Sequence, residues 1–461
     1  MIRSFYLPVN VGEYGMIWIQ FIILIAMILI GSRMKGIGLG VMGMLGMLVF
    51  VLGFGMRPAE PPLDVMLIIL AIVTTAATLQ AAGGLDYLVG VAEKIIRSNP
   101  SRIVFIAPFT VFFLCLFAGT SHVVYSLLPI IAEVSAKKRI RPERPLSISV
   151  VAAHLALTGS PMSAATAALA TILAYNGATI HIMMVCIPAC LLGVLAGCFT
   201  AIKMGKELEA DPVFLEKMKD AEFSSWINSG IQQTKRDLKP GAKKSVLVFG
   251  AAILFVVVFG AFPALLPNLG EGKENFAVKA DGTLKMAAII VLVTLSASAV
   301  MMGITKTKSA EVMKATLFTA MAAAVVSVFG VVWMSATFMA HNETAIKSAM
   351  GSIINLYPWT FAIAVFMMGI LMFSQAATTR AMMPLGLTLG LSHGALIGVF
   401  PAVNSDFVLP GYPTLLAAIN VDRTGSTQIG KYIFNHSFIR PGMVAISVAV
   451  ATSFLLGSFF L

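Results

Sequence analysis

Charged side chains are scarce in this chain: Asp, Glu, Lys and Arg make up 11% of its 461 residues, against 58% hydrophobic ones. So little polar surface cannot cover a water-soluble globule of this size, which excludes a soluble fold and makes lipid the expected solvent. Cysteine is sparse too. Cys115, Cys186, Cys190 and Cys198 all lie in apolar segments, with no CxxC pair or neighbouring His, so they read as small core residues and no metal is expected. The sequence also lacks an HExxH, a nucleotide-binding loop and a nucleophile–base arrangement, which argues against an enzyme and against a bound cofactor. The net charge of +11 sits in short Lys/Arg clusters between apolar runs, a pattern of membrane topology and not of nucleic-acid binding.

What is present is a series of apolar runs. A hydrocarbon core of about 30 Å needs roughly 20 helical residues. Runs of that kind occur near 16–31, 36–55, 63–82, 146–175, 181–202, 245–267, 285–303, 315–339, 395–420 and 437–461. The first has no small-residue cleavage pattern and reads as a spanning helix, not a removed signal. Two further apolar stretches, 102–136 and 358–391, are interrupted by the polar tips AGTSH (118–122) and SQAATTR (374–380).

Charge placement decides how the first interrupted stretch runs. Lys94, Arg97 and Arg102 precede it, and Lys137, Lys138, Arg139, Arg141 and Arg144 follow it. Short loops rich in Lys and Arg stay in the cytoplasm, so both ends are expected inside and the stretch is expected to enter and return as a hairpin. Treating 358–391 alike puts Arg33/Lys35, the segment 203–244, Lys306/Lys308/Lys314 and Arg423/Lys431 inside, with both termini outside.

The expected fold is an all-α integral membrane protein of two inverted repeats, each with five transmembrane helices and one re-entrant helical hairpin. Residues 1–202 form the first repeat, with hairpin 102–136 and broken helix 146–175. Residues 203–244 form a cytoplasmic connector, and 245–461 the second repeat, with hairpin 358–391 and broken helix 395–420. Breaks stand in register: Pro129 then TGSPMS (158–163) in one half, Pro384 then LPGYPT (409–414) in the other. Inverted repeats with broken helices are an architecture of secondary transporters, whose substrates bind where the breaks meet.

Backbone that leaves the helix at membrane depth is tolerated only against protein or a water-filled cavity. Half-helix N-termini there offer free N–H groups and a positive dipole end to a carboxylate. The candidate substrate-binding residues are therefore Gly119, Thr120, Ser121 and His122 at the first tip, and Thr158, Gly159, Ser160, Pro161 and Ser163 at the first break. From the second half come Ser374, Gln375, Thr378, Thr379 and Arg380, with Pro410, Gly411, Tyr412, Pro413 and Thr414. Arg380 is the most informative charge, because an Arg inside an apolar stretch needs a partner. A substrate carboxylate, the outer interface and Asp406 are the alternatives. Asp406 and His154 are candidates for ion or proton coupling, beside the plainer reading of His154 as a hydrogen-bonded structural residue.

Several of these stretches resemble the anaerobic C4-dicarboxylate carriers called the Dcu family. The resemblance runs over nearly the whole chain and is carried by GTSHVVYSLLPII (119–131), RPERPLS (141–147), TGSPMSA (158–164), SQAAT (374–378), LPGYPTLLAAI (409–419) and DRTGSTQIGKYIFNHSF (422–438). It implies a bacterial inner-membrane carrier of fumarate, succinate, malate and aspartate, kin to elevator-type transporters that move a hairpin-bearing domain past a fixed scaffold. HVVY and RPERP look most like the branch that exchanges fumarate for succinate in anaerobic respiration. Some members of that branch associate with a membrane histidine kinase, which makes such a kinase a candidate partner. The oligomeric state stays open, a homo-oligomer among the alternatives. A carrier of citrate or a sugar acid is the nearest rival. The chain departs from the family pattern at Gly159 and Gly411 within the breaks, at His154, where Gln is expected, and at Arg380, where relatives carry Lys or a small residue.

Overall fold

The computed structural model describes residues 13–460 apart from 35–36, 62, 176, 231–237, 319–324, 327–328, 332, 343–356, 373, 410–411 and 431–434. All regular secondary structure among these residues is helical. Five helices are long and apolar enough to cross a membrane: Pro100–Ala118, Ala178–Ile202, Ala242–Phe259, Met286–Thr305 and Ile439–Phe459. Other expected spans are shorter apolar helices, such as Met16–Ile28 and Gly40–Gly53, or are broken, and the expected span 315–339 lies partly outside the described residues. The chain is thus a multi-pass membrane protein. Pro100–Ala118 is long enough to cross by itself, so length does not separate a full crossing from a re-entrant arm there.

The expected interruptions are real. Helix Ile103–Ala118 stops at Gly119, whose φ of 69° and N–H bond to the Cys115 carbonyl make a left-handed C-cap. Thr120 is extended, a 3-10 turn covers Ser121–Ser126, and helix Leu128–Lys137 follows. Helix Glu143–Leu155 likewise tightens into a 3-10 turn at Ala156–Thr158 and restarts at Ala164, where the Ser163 hydroxyl caps the Ala165 N–H. In the second half, helix Thr360–Met372 gives way to Gln375–Thr388, capped by Ser374. Helix His393–Val399 passes into a 3-10 turn at Phe400–Phe407 before Pro413–Val421 begins with Pro at its first position.

Small residues let these pieces approach one another. A Cβ on Gly193 would fall 2.4 Å from the Ala445 carbonyl oxygen, and one on Gly197 would fall 2.3 Å from Ile148 Cδ1. This small-xxx-small spacing seats Ala178–Ile202 against both Ile439–Phe460 and the first broken helix, as is common between helices in lipid. Two large apolar clusters result. One joins the 103–156 region to Phe407, Leu415 and the last helix, and the other joins Leu24–Phe50 to Ala165, Ala377 and Val403. The broken helices run along the seam between them.

Two features differ from the sequence reading. Helix Gly84–Ser98 lies between expected spans and turns 72° from the helix before it. Its Leu85, Val89, Ala92 and Ile96 are buried, while Asp86 and Lys94 are exposed, so it is amphipathic and too charged to register as a spanning run. The segment 203–244 is more than a solvated connector: its helices Pro212–Lys217 and Ala221–Asn228 bury Phe214, Phe223 and Ile227 against Ala136. Arg141 bonds to Asp211 and Glu143, while Arg423 stacks 4.5 Å over Trp226 and reaches Glu222. Burial opposes the ionised form of Asp211, but the Arg141 hydrogen bond and charge prevail and hold this carboxyl below its usual range.

Candidate substrate site between the broken helices

The two tips and two breaks meet. At the first tip, a Cβ on Gly119 would sit 2.4 Å from the Met162 carbonyl oxygen of the first break. Ser160 donates to the Leu116 carbonyl at 2.6 Å and accepts from the Met162 N–H at 3.2 Å, tying break to tip. Gly119 is thus required twice, for its positive φ and for the close approach. Gly119→Ala is expected to lower stability by about 1–2 kcal/mol from backbone conformation alone, with the steric overlap in addition. Thermal unfolding in detergent measures it.

The halves are joined by one buried polar network. His154 Nδ1 lies 2.9 Å from Asp406 Oδ1, and since a carboxylate only accepts, Nδ1 is the donor. His154 Nε2 lies 2.9 Å from Thr414 Oγ1, and Gln375 Nε2 donates to Asp406 Oδ2 at 2.8 Å. The Tyr412 ring stands edge-on to His154 with centroids 4.8 Å apart, and its hydroxyl bonds to Ser121. His154, Asp406 and Thr414 are wholly buried, with Gln375 and Ser121 nearly so. One cluster therefore gathers the first broken helix, both tips and the second break.

Two of the three sequence alternatives for Arg380, the outer interface and Asp406, fall away. Arg380 is 3% exposed, so it does not reach an interface, and Asp406 is engaged by His154 and Gln375 instead. Its Nη2 makes one long bond, 3.4 Å, to the Ala164 carbonyl at the start of helix Ala164–Leu173. Nε and Nη1 are buried with no hydrogen-bond partner among the described residues. A guanidinium offers a planar fork of donors matched to a carboxylate, and here two of its three nitrogens have no partner among the described residues.

Other candidates are placed less centrally. Thr158, Thr378 and Thr379 turn their hydroxyls back to the carbonyls of Leu155, Ser374 and Gln375, so they shape their helices first. Thr158 also lies 3.3 Å from Cys190 Sγ, and all four cysteines are buried thiols. Thr120 receives the His122 N–H, and His122 is exposed on the tip, outside the buried network. Pro161 lies within the first break and Pro413 opens the last half-helix. Pro410 and Gly411 fall outside the described residues. Sequence reading passed over Tyr125, whose ring is 6.0 Å from that of His122. The signal was available, because residues three apart eclipse on a 3-10 turn.

Residues 16–461 match the family model described as anaerobic C4-dicarboxylate membrane transporter. The chain is 39% identical over 441 residues to the C4-dicarboxylate transporter DcuA of Wolinella succinogenes, covering 95% of this chain and 99% of that one. It is 36% identical over 448 residues to the DcuA of Escherichia coli K12, covering 97% and 100%. Against the anaerobic C4-dicarboxylate transporter DcuB of Escherichia coli O6:H1 it is 36% identical over 440 residues, covering 94% and 96%. Among solved structures, the Alcanivorax borkumensis YdaH transporter superimposes with a TM-score of 0.46 at 15% identity over 97% of each chain. Relatives of both names stand at nearly equal identity, which does not separate the two branches. The chain belongs to the anaerobic C4-dicarboxylate membrane transporter family.

Proposed function

We propose that this protein exchanges C4-dicarboxylates across a bacterial inner membrane by alternating access, with fumarate against succinate as the principal pair. The buried guanidinium of Arg380, with Nε and Nη1 unpartnered among the described residues, carries this reading. A cation enclosed in protein at membrane depth is costly without a counter-charge, and a substrate carboxylate supplies one. Three half-helix N-termini, Ala164, Gln375 and Pro413, add N–H groups around the same network. A four-carbon dianion held there uses donors from both halves of the chain.

On this reading the chain is two inverted repeats with a hairpin each, both termini lie outside, and a hairpin-bearing body moves as an elevator. The pairing of Ala178–Ile202 with Ile439–Phe460, the closing helices of the two proposed repeats, supports that symmetry. His154 and Asp406 are the proposed ion or proton pair. Nδ1–H stays on the carboxylate, while the Thr414 hydroxyl donates to a neutral Nε2 or accepts from a protonated one. Exchange follows because the empty carrier would have to reorient with Arg380 unpaired.

Counterflow in proteoliposomes tests the proposal. External labelled fumarate is expected to accumulate against internal succinate, and unlabelled citrate or a sugar acid is expected not to compete. Absence of counterflow with any C4-dicarboxylate would sink the reading, and competition by citrate alone would move the substrate class.

A further inference from the structure

Helix Gly84–Ser98 turns 72° from the helix before it and is tied at both ends to cation-rich segments. Its start meets the beginning of helix Ala242–Ala261: a Cβ on Gly84 would lie 2.5 Å from Ser245 Oγ, and Lys243 Nζ stands 5.7 Å from the Tyr87 ring. Its end is fastened through Arg97, which bonds Glu93 and Glu133, the latter also held by Lys137. Both anchors adjoin Lys/Arg-rich stretches, 239–244 and 137–144, which the positive-inside rule sets on one side, so a helix bent 72° from its predecessor is expected to lie along that membrane surface. An amphipathic helix in that position sets its apolar face at the boundary of headgroups and acyl chains.

Beneath it runs a groove of about 530 Å³, bounded by Leu88 and Ile95 on this helix and by Phe105, Phe109, Phe113 and Phe117 on helix Ile103–Ala118. Thr110 is the one hydroxyl in its lining, and it is already bonded to the Ile106 carbonyl. The groove therefore offers nothing to a dicarboxylate. Val91, Ile95 and Phe113 are 40%, 46% and 52% exposed, so no other part of the described chain covers it. At the end of the groove marked by Ile95 and Phe105 stand Lys94, Ser98 and Arg102, all exposed.

We propose that this groove binds a phospholipid of the adjacent leaflet, with an acyl chain along the phenylalanines and an anionic headgroup on Lys94, Ser98 and Arg102. The apolar trough and the cationic rim stand in the order of a lipid's own tail and head. A second copy of the chain fits less well, because a two-fold contact would bring two sets of the same cations together at one membrane level. The site is separate from the substrate network and stands whether or not the transported anion is a C4-dicarboxylate.

Quenching by brominated lipids tests it in the full chain. Ile95→Trp places an indole at the half-exposed edge of the groove, read as the fluorescence difference from wild type, which carries four Trp. Phosphatidylglycerol with brominated acyl chains is expected to quench that difference with a roughly tenfold preference over brominated phosphatidylcholine. Adding Lys94→Gln and Arg102→Gln is expected to bring the preference to about one while chain quenching persists. Equal quenching by both lipids in the parent variant, a preference unchanged by the two Gln substitutions, or no quenching by either lipid would each overturn the proposal. Gel filtration of each variant as a monodisperse species, with counterflow retained, shows that it is folded.

Discussion

Arg380→Gln is expected to cut exchange at least about 30-fold while leaving thermal stability equal to or above wild type. Truncating one partner of a desolvated, hydrogen-bonded charge pair costs about 2–5 kcal/mol, and each 1.4 kcal/mol is about a factor of ten. The stability half of the expectation comes from the hydrogen bonding of Arg380 within the protein. Arg380 makes a single long bond, to the Ala164 carbonyl, and leaves Nε and Nη1 without partners among the described residues. Replacing it with a neutral side chain therefore removes a buried charge without breaking an ion pair. Arg380→Lys keeps the charge but loses the planar fork, so it is expected to fall between the two. A structural Arg would behave oppositely, with stability and exchange falling together. Uptake rates in proteoliposomes, paired with melting in detergent, separate these outcomes.

Asp406→Ala is expected to do the reverse and destabilise the protein by about 3–5 kcal/mol, because it strands two buried partners at once. His154 Nδ1 and Gln375 Nε2 both donate to this carboxylate, and both are buried away from water. Asp406→Asn distinguishes charge from hydrogen bonding. Its amide oxygen accepts from Gln375, and its NH₂ donates to a His154 tautomer whose Nε2–H then points to Thr414. Each of these polar atoms keeps one hydrogen-bond partner, so the Asn variant is expected to melt much closer to wild type than the Ala variant. Any loss of exchange it shows belongs to the missing negative charge. An Ala variant as stable as wild type would mean that the network does not hold the two halves together.

The membrane class and the positions of the breaks were legible in the sequence for one reason: Gly, Pro, Ser and Thr at membrane depth conflict with an otherwise apolar pattern. That conflict marks Gly119, the TGSPMS break at 158–163, Ser374 and the region before Pro413, and the helices stop or restart at each of them. The same pattern could not say which hydroxyls remain for a ligand. Thr378 and Thr379 were counted as donors, but in a helix a threonine finds the carbonyl four residues back, and lipid offers it nothing better. Nor could it pair His154 with Asp406, which are separated by 252 residues and meet only because small residues bring the broken helices together. Helix Gly84–Ser98 escaped because charge interrupts its apolar run, and its anchor at Glu133 is tertiary.

The central claim is that a dicarboxylate completes Arg380 at the meeting of the two tips and breaks. A structure determined with bound succinate tests it most directly. A carboxylate oxygen is expected within hydrogen-bonding distance of Arg380 Nε or Nη1, with the ligand beside Ser160, Gln375 and Thr414. Succinate bound elsewhere, with the Arg380 fork still empty, would contradict it.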